Sequence, residues 1–518
     1  MKTYYLGIDQ STQGTKALLL DRAGRVAFRA DRSHRQIINE RGWVEHDPEE
    51  IWANTLGVVR DVLAKAGADP SEVAGCGLSN QRETTAAFDR FTGKPVYNAI
   101  VWQCGRAAEI AERIAAGESF GIGHRPEEDG EAAGRAEGGE LSNEELIFRT
   151  TGLKLSPYFS AAKMAWILQN VPEASEKQKN GSLVLGTMDS FLVHRLSGGK
   201  RTATDYSNAS RTQLFNLRTL SWDSKVCGLF GILPESLPEV MDSDALYCMS
   251  DFEGIFPEPI PVHGVLGDSH AALFGQGCLK PGMTKATYGT GSSIMMNIGS
   301  GPVLSEEGVV TSLAWKIGGE VNYVLEGNIN YTGAVVTWLK DDVGLISSAG
   351  ETGQLAEESN PEDRCYLVPA FTGLGAPYWK SDARAAFVNM SRTTGRKELV
   401  RAGLDAIALQ ITDIVRAMNR SAAVPVSELR VDGGPTRNTW LMQRQSDLLS
   451  IPVLVPGAEE LSGMGAAYAA GIASGFYTRE VLFGASGAGK RTEYRPKMPD
   501  ALRDELYSGW REAVARTF

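Results

Sequence analysis

The chain has 518 residues, more than one hydrophobic core can organise, which predicts two large domains. Its composition, 42% hydrophobic and 22% charged, is that of a soluble globular protein, and its net charge of −11 argues against nucleic acid or an anionic membrane surface as the main partner. The six cysteines form no CxxC pair and the six histidines no HExxH pattern, so free thiols, no structural zinc and a reducing cytoplasm are expected.

The opening MKTYYLGIDQ runs straight into a strand-like segment, with no charged-then-apolar leader. Tyr5 to Ile8 reads as a buried strand, followed by the polar turn Asp9 to Gly14. Ala17 to Leu20 resumes the apolar run, and Gly24 with Val26 begins a third segment: a hairpin meander. Asp47-Pro48 with Glu50 is a helix start, and the helix should bury Ile51, Trp52, Leu56, Val59 and Leu63. Gln81-Arg82-Glu83-Thr84 follows the apolar pair Gly77-Leu78, and Trp102-Gln103 follows Ala99 to Val101, which places both at strand ends. Gly121 to Glu140, rich in Gly, Glu and Ala, reads as a mobile surface insertion.

Further on, GDSHAALFGQG puts Asp268 at the end of an apolar strand. Thr284 to Tyr288, the turn Gly289 to Ser292, and Ile294 to Asn297 repeat the strand–turn–strand plan of the N-terminus, a weak duplication that suggests two related domains facing across a cleft. The apolar spacing predicts a helix from about Glu398 to Arg420. Leu429 to Asp432 is a strand leading through Gly433-Gly434 to a helix holding Asn438; the segment lacks the third glycine of GxGxxG, so a Rossmann site is excluded. GASGAGK, ending at Lys490, lacks the GxxxxGK[ST] pattern of a phosphate loop. A final helix holds Leu502, Leu506 and Trp510.

A carboxylate base (Asp268) and a Gly-Thr-Gly turn that can wrap phosphate oxygens with N–H groups are the minimum equipment for phosphoryl transfer to a hydroxyl. Paired hairpins favour a phosphate and Mg²⁺ site, with Asp9 holding Mg²⁺ through waters and Thr12 and Thr290 bonding phosphate. Arg82 and Glu83 are either a plain salt bridge or a grip on polyol hydroxyls, with Trp102 against the C–H face. His270, close to Asp268, suggests a histidine base, but its side chain is expected to point away from that of Asp268.

The segments LGIDQSTQGTKALLLD, GWVEHDPEEIW, SNQRETT, NAIVWQC, PYFSAAKMAWIL, GTMDSFLVHRL, TDYSNASRTQLFN, GDSHAALFGQ, TYGTG, PAFTGLGAPYW and RVDGGPTRN together resemble the FGGY carbohydrate kinases, most closely those that act on glycerol. The resemblance implies an α/β fold of two actin-like (ribonuclease-H-like) domains, 1–276 and 277–518, with an interdomain ATP/substrate cleft. The implied reaction is ATP-dependent phosphorylation of a terminal hydroxyl of a small polyol or sugar, with Mg²⁺ as cofactor. By matching positions it assigns Asp268 as the base, Arg82, Glu83, Trp102, Tyr158, Asp268 and Ser269 to the acceptor, and Ser11, Thr12, Lys16, Gly289, Thr290, Gly333, Gly434 and Asn438 to the nucleotide. It also implies a homodimer or homotetramer.

Three positions depart from the family pattern. Lys16 stands where Arg is common, keeping the charge but losing the fork. Ser269 replaces the usual Gln after the base, and Ser293 replaces an aromatic wall. Both serines enlarge the expected pocket and point to a longer acceptor, such as erythritol, a pentitol or a ketopentose, beside or instead of glycerol. The region Ser243 to Val262 contains no Lys or Arg, so the sugar-bisphosphate inhibition of some members is not expected. A reading from another class, a non-transferring ATP-dependent switch on an actin-like scaffold, would need the hairpins but not the acceptor cluster.

Overall fold

The structure, a computed structural model, describes residues 2–121, 141–484 and 491–518. The insertion expected from Gly121 to Glu140 and the GASGAGK segment thus fall, but for their first residues, outside the described residues. The chain forms two compact units. One comprises Met1–Gly275, Thr311–Tyr323 and Ser462–Gly487; the other comprises Gln276–Val310, Val324–Leu461 and Ala488–Phe518. The break at Gly275/Gln276 is followed by two later segments that return to the first unit.

In the first unit the N-terminal meander pairs as read from sequence. Tyr4–Gln10 is antiparallel to Gly14–Leu20, which is antiparallel to Val26–Ser33. Val73–Asn80 then joins Tyr4–Gln10 in parallel, and Ile260–Gly267 joins Val73–Asn80 in parallel. The inner strands are buried along almost their whole length, as parallel strands covered on both faces must be. The helix Leu461–Ala473 lies close on this sheet because Gly7, Gly77 and Gly264 carry no side chain; a Cβ on any of them would strike the backbone at Gly463 or Ala466.

The helix Pro48–Ala66 starts as its sequence dictates. The Asp47 side chain accepts from the Glu49 amide, Pro48 occupies the first turn, and Gly67 closes the helix in the left-handed conformation. Its buried face includes Ile51, Trp52, Leu56, Val59 and Leu63. A second sheet of five strands, among them Val44–His46, Pro95–Ile100, Thr85–Asp89 and Leu183–Thr187, completes this unit.

In the second unit the same order recurs. Thr284–Tyr288 is antiparallel to Ser292–Gly299 and parallel to Leu429–Asp432, which is parallel to Val453–Val455. The long helix Arg396–Ser421 packs its apolar residues, including Leu404, Ile407, Ile411, Ile414 and Met418, into this unit's core. The C-terminal helix Asp500–Ala515 buries Leu506 and Trp510, and its Trp510 indole donates to the buried Asp413 carboxylate at 2.7 Å. A meander followed by parallel strands, built twice, is the duplication that the two polar turns announced. None of the described helices is long and apolar enough to cross a membrane.

Candidate active site

Asp268 is the first residue of the helix Asp268–Gly275, directly after the strand Ile260–Gly267. Its carboxylate is about one-third exposed and is held from two sides: Arg82 Nε lies 3.2 Å from Oδ1, and the Ser269 amide donates to Oδ1 at 2.6 Å. Because a helix begins here, Asp268 and His270, two positions apart, lie about 200° apart around its axis, where a strand would have set them on one face. His270 is fully buried, with Nε2 3.4 Å from the Ser312 hydroxyl.

Gln81, Arg82, Glu83 and Thr84 are all buried, directly after the strand Val73–Asn80. Glu83 accepts from Arg211 Nε at 2.7 Å and stands 3.9 Å from Arg82 Nε. The fully buried Arg211 guanidinium also lies 5.0 Å from the Phe159 ring centre. The pair read from sequence as Arg82–Glu83 is thus two arginines and two carboxylates in a row: Arg211, Glu83, Arg82, Asp268. Trp102 is tied to this group, its amide donating to the Thr84 hydroxyl at 3.2 Å, and its ring meets Tyr158 edge-on at 5.5 Å. Tyr158 sits on a turn gripped from beneath by Lys163, whose buried Nζ donates to the carbonyls of Pro157, Tyr158 and Phe159 at 2.7, 2.5 and 3.1 Å. Burial pulls the Lys163 ammonium down to about 7, against the upward pull of Glu83. Arg82, Glu83, Trp102, Tyr158 and Asp268 therefore form one connected group, joined by Arg211 and Lys163.

The N-terminal hairpin adds Asp9, Ser11, Thr12 and Lys16. Asp9 is buried, accepts from the Ser79 hydroxyl at 2.6 Å and is the cross-strand neighbour of Lys16. The Ser11 hydroxyl bonds the Gly14 carbonyl at 3.0 Å and closes the turn. Thr12 Oγ1 accepts from the Trp102 indole at 2.9 Å, so the turn and the aromatic wall share a hydrogen bond.

The second unit carries the other set. The carbonyls of Gly289 and Thr290 receive the amides of Gly333, Thr332 and Ala334, which seats the Gly-Thr-Gly turn on the start of the short helix Gly333–Thr337. A Cβ on Gly333 would lie 2.7 Å from the Gly289 carbonyl oxygen. Gly433 has φ of +99°, and a side chain there would strike Tyr288, whereas Gly434 faces open space. Asn438 caps the helix Thr439–Leu449, accepting from the Leu441 amide at 3.0 Å, rather than lying within it. Ser293 donates to Glu326 at 3.4 Å.

Sequence reading missed Arg211, Lys163 and Ser79. All three lie inside segments quoted for the resemblance, but each is defined by a contact with a distant partner or with backbone carbonyls, which leaves no periodic trace.

One titration bears on this region. His46 Nδ1 is 3.2 Å from Gln81 Nε2, and the His46 ring meets His34 edge-on at 4.5 Å. Burial, and then the neighbouring His34, pull His46 down to about 3. The unfolded imidazole binds a proton near 6.5 that the folded ring refuses. Stability therefore falls as pH drops from about 6.5 towards 3, by about 1.4 kcal/mol per pH unit for this ring. Denaturant midpoints at pH 7 and pH 5 should lie closer together in His46→Gln than in the unaltered chain; an equal gap would contradict this assignment.

Two units with this repeated strand order, one with a carboxylate–arginine group and the other with a Gly-Thr-Gly turn, define the class: an ATP-dependent phosphotransferase of the actin-like fold. The N-terminal domain model of the FGGY family of carbohydrate kinases matches residues 4–121 and 133–275, and the C-terminal domain model matches 284–474. The chain is 43% identical over 515 residues to a glycerol kinase of Stenotrophomonas maltophilia, covering 99% of this chain and 98% of the relative. It is 44% identical over 519 residues to glycerol kinase 1 of Thermotoga maritima, covering 99% of each. The crystal structure of Plasmodium falciparum glycerol kinase with ADP superimposes with a TM-score of 0.89 at 32% identity, covering 99% of this chain and 98% of that one. A ligand-bound xylulose kinase from Lactobacillus acidophilus shares the fold, with a TM-score of 0.85 at 19% identity and 99% of both chains covered. The chain belongs to the FGGY family of carbohydrate kinases and is an ATP-dependent carbohydrate kinase.

Proposed function

We propose that this kinase transfers the γ-phosphoryl group of ATP to a terminal hydroxyl of glycerol, with Asp268 as the base. The observation that carries the reading is the connected group Arg211–Glu83–Arg82–Asp268, closed by Trp102 and Tyr158. Glu83 accepts from acceptor hydroxyls, Arg82 donates to them, and the two aromatic faces cover the C–H side. Arg82 and the Ser269 amide fix one carboxylate oxygen of Asp268, which orients the group towards the reacting hydroxyl. In the transfer the acceptor oxygen bonds to the γ-phosphorus and the bond to the β–γ bridging oxygen breaks. ADP leaves with that electron pair, and the hydroxyl proton passes to Asp268.

Ser11, Thr12, Lys16, Gly289, Thr290 and Gly333 are assigned to the phosphates, and Gly434 and Asn438 to the adenosine. The Trp102 indole takes a lone pair of the Thr12 hydroxyl, which leaves that hydroxyl to donate to a phosphate oxygen. Mg²⁺, when bound, neutralises charge on the phosphates. Asp9, which accepts from the Ser79 hydroxyl, suits it as an acceptor for the ion's waters, and among the described residues no cluster of three metal-binding side chains offers an all-protein cage. The proposed assembly is a homodimer or homotetramer, and the proposed location is cytoplasmic.

A second reading rests on Ser269 and Ser293: a small hydroxyl side chain stands at each where the family pattern carries Gln and an aromatic residue, which favours a four- or five-carbon polyol, or a ketopentose, as acceptor. An acceptor panel of glycerol, erythritol, xylitol, ribitol and xylulose separates the two. The primary reading expects glycerol to give the highest kcat/KM. A longer acceptor exceeding it by tenfold would replace glycerol as the substrate.

A further inference from the structure

We infer that Asp205, outside both the acceptor set and the nucleotide set, is a positioning residue that fixes the backbone carrying the catalytic carboxylate. The inference rests on Asp268 being the base.

Asp205 is fully buried and precedes the short helix Tyr206–Ala209. Five hydrogen bonds converge on its two oxygens. Oδ2 accepts from the Ser207 amide at 2.9 Å and the Ser243 hydroxyl at 2.7 Å. Oδ1 accepts from the Ser207 hydroxyl, the Asn208 amide and Asn208 Nδ2, each at 2.9 Å. Capping a one-turn helix needs only the two backbone amides. The other three bonds lead away from it, and a buried carboxylate is costly enough that such a set requires a reason.

One of those bonds reaches the reaction centre. The Ser207 hydroxyl spends its proton on Asp205, so its oxygen is turned to accept. It accepts from the Gly267 amide at 2.9 Å, one residue before Asp268. A second leads to the acceptor grip. Asn208 and Asn80 exchange hydrogen bonds at 3.0 Å in both directions, and Asn80 Nδ2 also donates to the Gln81 carbonyl at 2.9 Å. Asn80 ends its strand directly before Gln81-Arg82-Glu83 and is the register partner of Gly267. The third, through Ser243, reaches the same strand two residues before Gly267, since the Ser243 carbonyl receives the Val265 amide at 2.9 Å. Gly267 is packed from the other side as well: a Cβ there would lie 2.6 Å from Arg82 Cγ. Asp205 thus locks the strand end that carries the base to the strand end that carries Arg82 and Glu83. Displacements of about 1 Å at such a point cost about a hundredfold in rate.

Ser207→Ala is the decisive variant, because Asp205→Ala would strand several buried donors at once and could fail to fold. Ser207→Ala cuts the link to Gly267 while leaving Asp205 four donors, including both helix-capping amides. The expected result is a fall in kcat of tenfold or more, with KM for ATP and glycerol within twofold and an unfolding midpoint close to that of the unaltered chain. Ser207→Thr, which restores a hydroxyl, should recover kcat. Unaltered kcat in Ser207→Ala would overturn the inference. So would a loss of kcat that comes with a collapsed midpoint and is not rescued by Thr, since that is scaffold damage. Asp268→Asn is measured alongside: full turnover there would sink the base assignment itself, whatever Ser207→Ala does.

Discussion

Asp268→Asn should turn over about a thousandfold more slowly than the unaltered kinase, with ATP affinity changed by less than twofold. Positioned general bases contribute roughly 10²- to 10⁴-fold, so the middle of that range corresponds to about 4 kcal/mol of transition-state stabilisation. Asn preserves the size of the side chain and keeps an oxygen for Arg82 and the Ser269 amide, which hold Asp268 Oδ1 at 3.2 and 2.6 Å. What it removes is the capacity to take the hydroxyl proton. The residues proposed for the nucleotide make no use of that capacity, so equilibrium ATP binding should persist. Loss of ATP binding together with turnover would show that Asp268 serves the nucleotide instead.

Arg211→Met is expected to cost about 3–5 kcal/mol of stability, the range for stripping one partner from a buried ion pair. The Arg211 side chain is wholly buried and Glu83 nearly so, and the bond between them is 2.7 Å. Without Arg211, Glu83 has Arg82 Nε at 3.9 Å, and that same nitrogen also serves Asp268 at 3.2 Å. Arg82 is then drawn between two carboxylates, so KM for the acceptor should rise by more than tenfold. Arg211→Lys keeps the charge but not the planar fork and should fall between the two. A denaturant midpoint and an acceptor KM that both match the unaltered chain would contradict this account of the buried row.

Much of this was legible in the sequence, for identifiable reasons. The hairpin turns at Asp9–Gly14 and Gly289–Ser292 carry local chemistry, glycine and short polar side chains between apolar runs, and both form as read. The helix at Pro48 was readable because Asp47, Pro48 and Glu50 act within one turn. Asp268 was found from its place after an apolar strand. What no local pattern showed is that a helix begins on Asp268 itself, so that helical spacing sets the direction of His270 relative to the carboxylate. The polar run from Thr204 to Gln213 gave no periodic signal. Its buried Asp205, Ser207, Asn208 and Arg211 are explained by partners at Glu83, Asn80, Ser243 and Gly267, far away in the chain. Likewise, no local pattern announces that residues 462–484 pack with the N-terminal unit; the reason is the glycines at 7, 77 and 264, which admit the helix Leu461–Ala473.

The central claim is that the chain uses ATP to phosphorylate a polyol rather than to drive a switch. ADP release measured with and without glycerol, with glycerol phosphate counted in the same samples, tests it most directly. The account predicts that ADP release depends on the polyol and matches phosphorylated product one for one. ADP release at an undiminished rate without any polyol, and with no phosphorylated product when polyol is present, would contradict it.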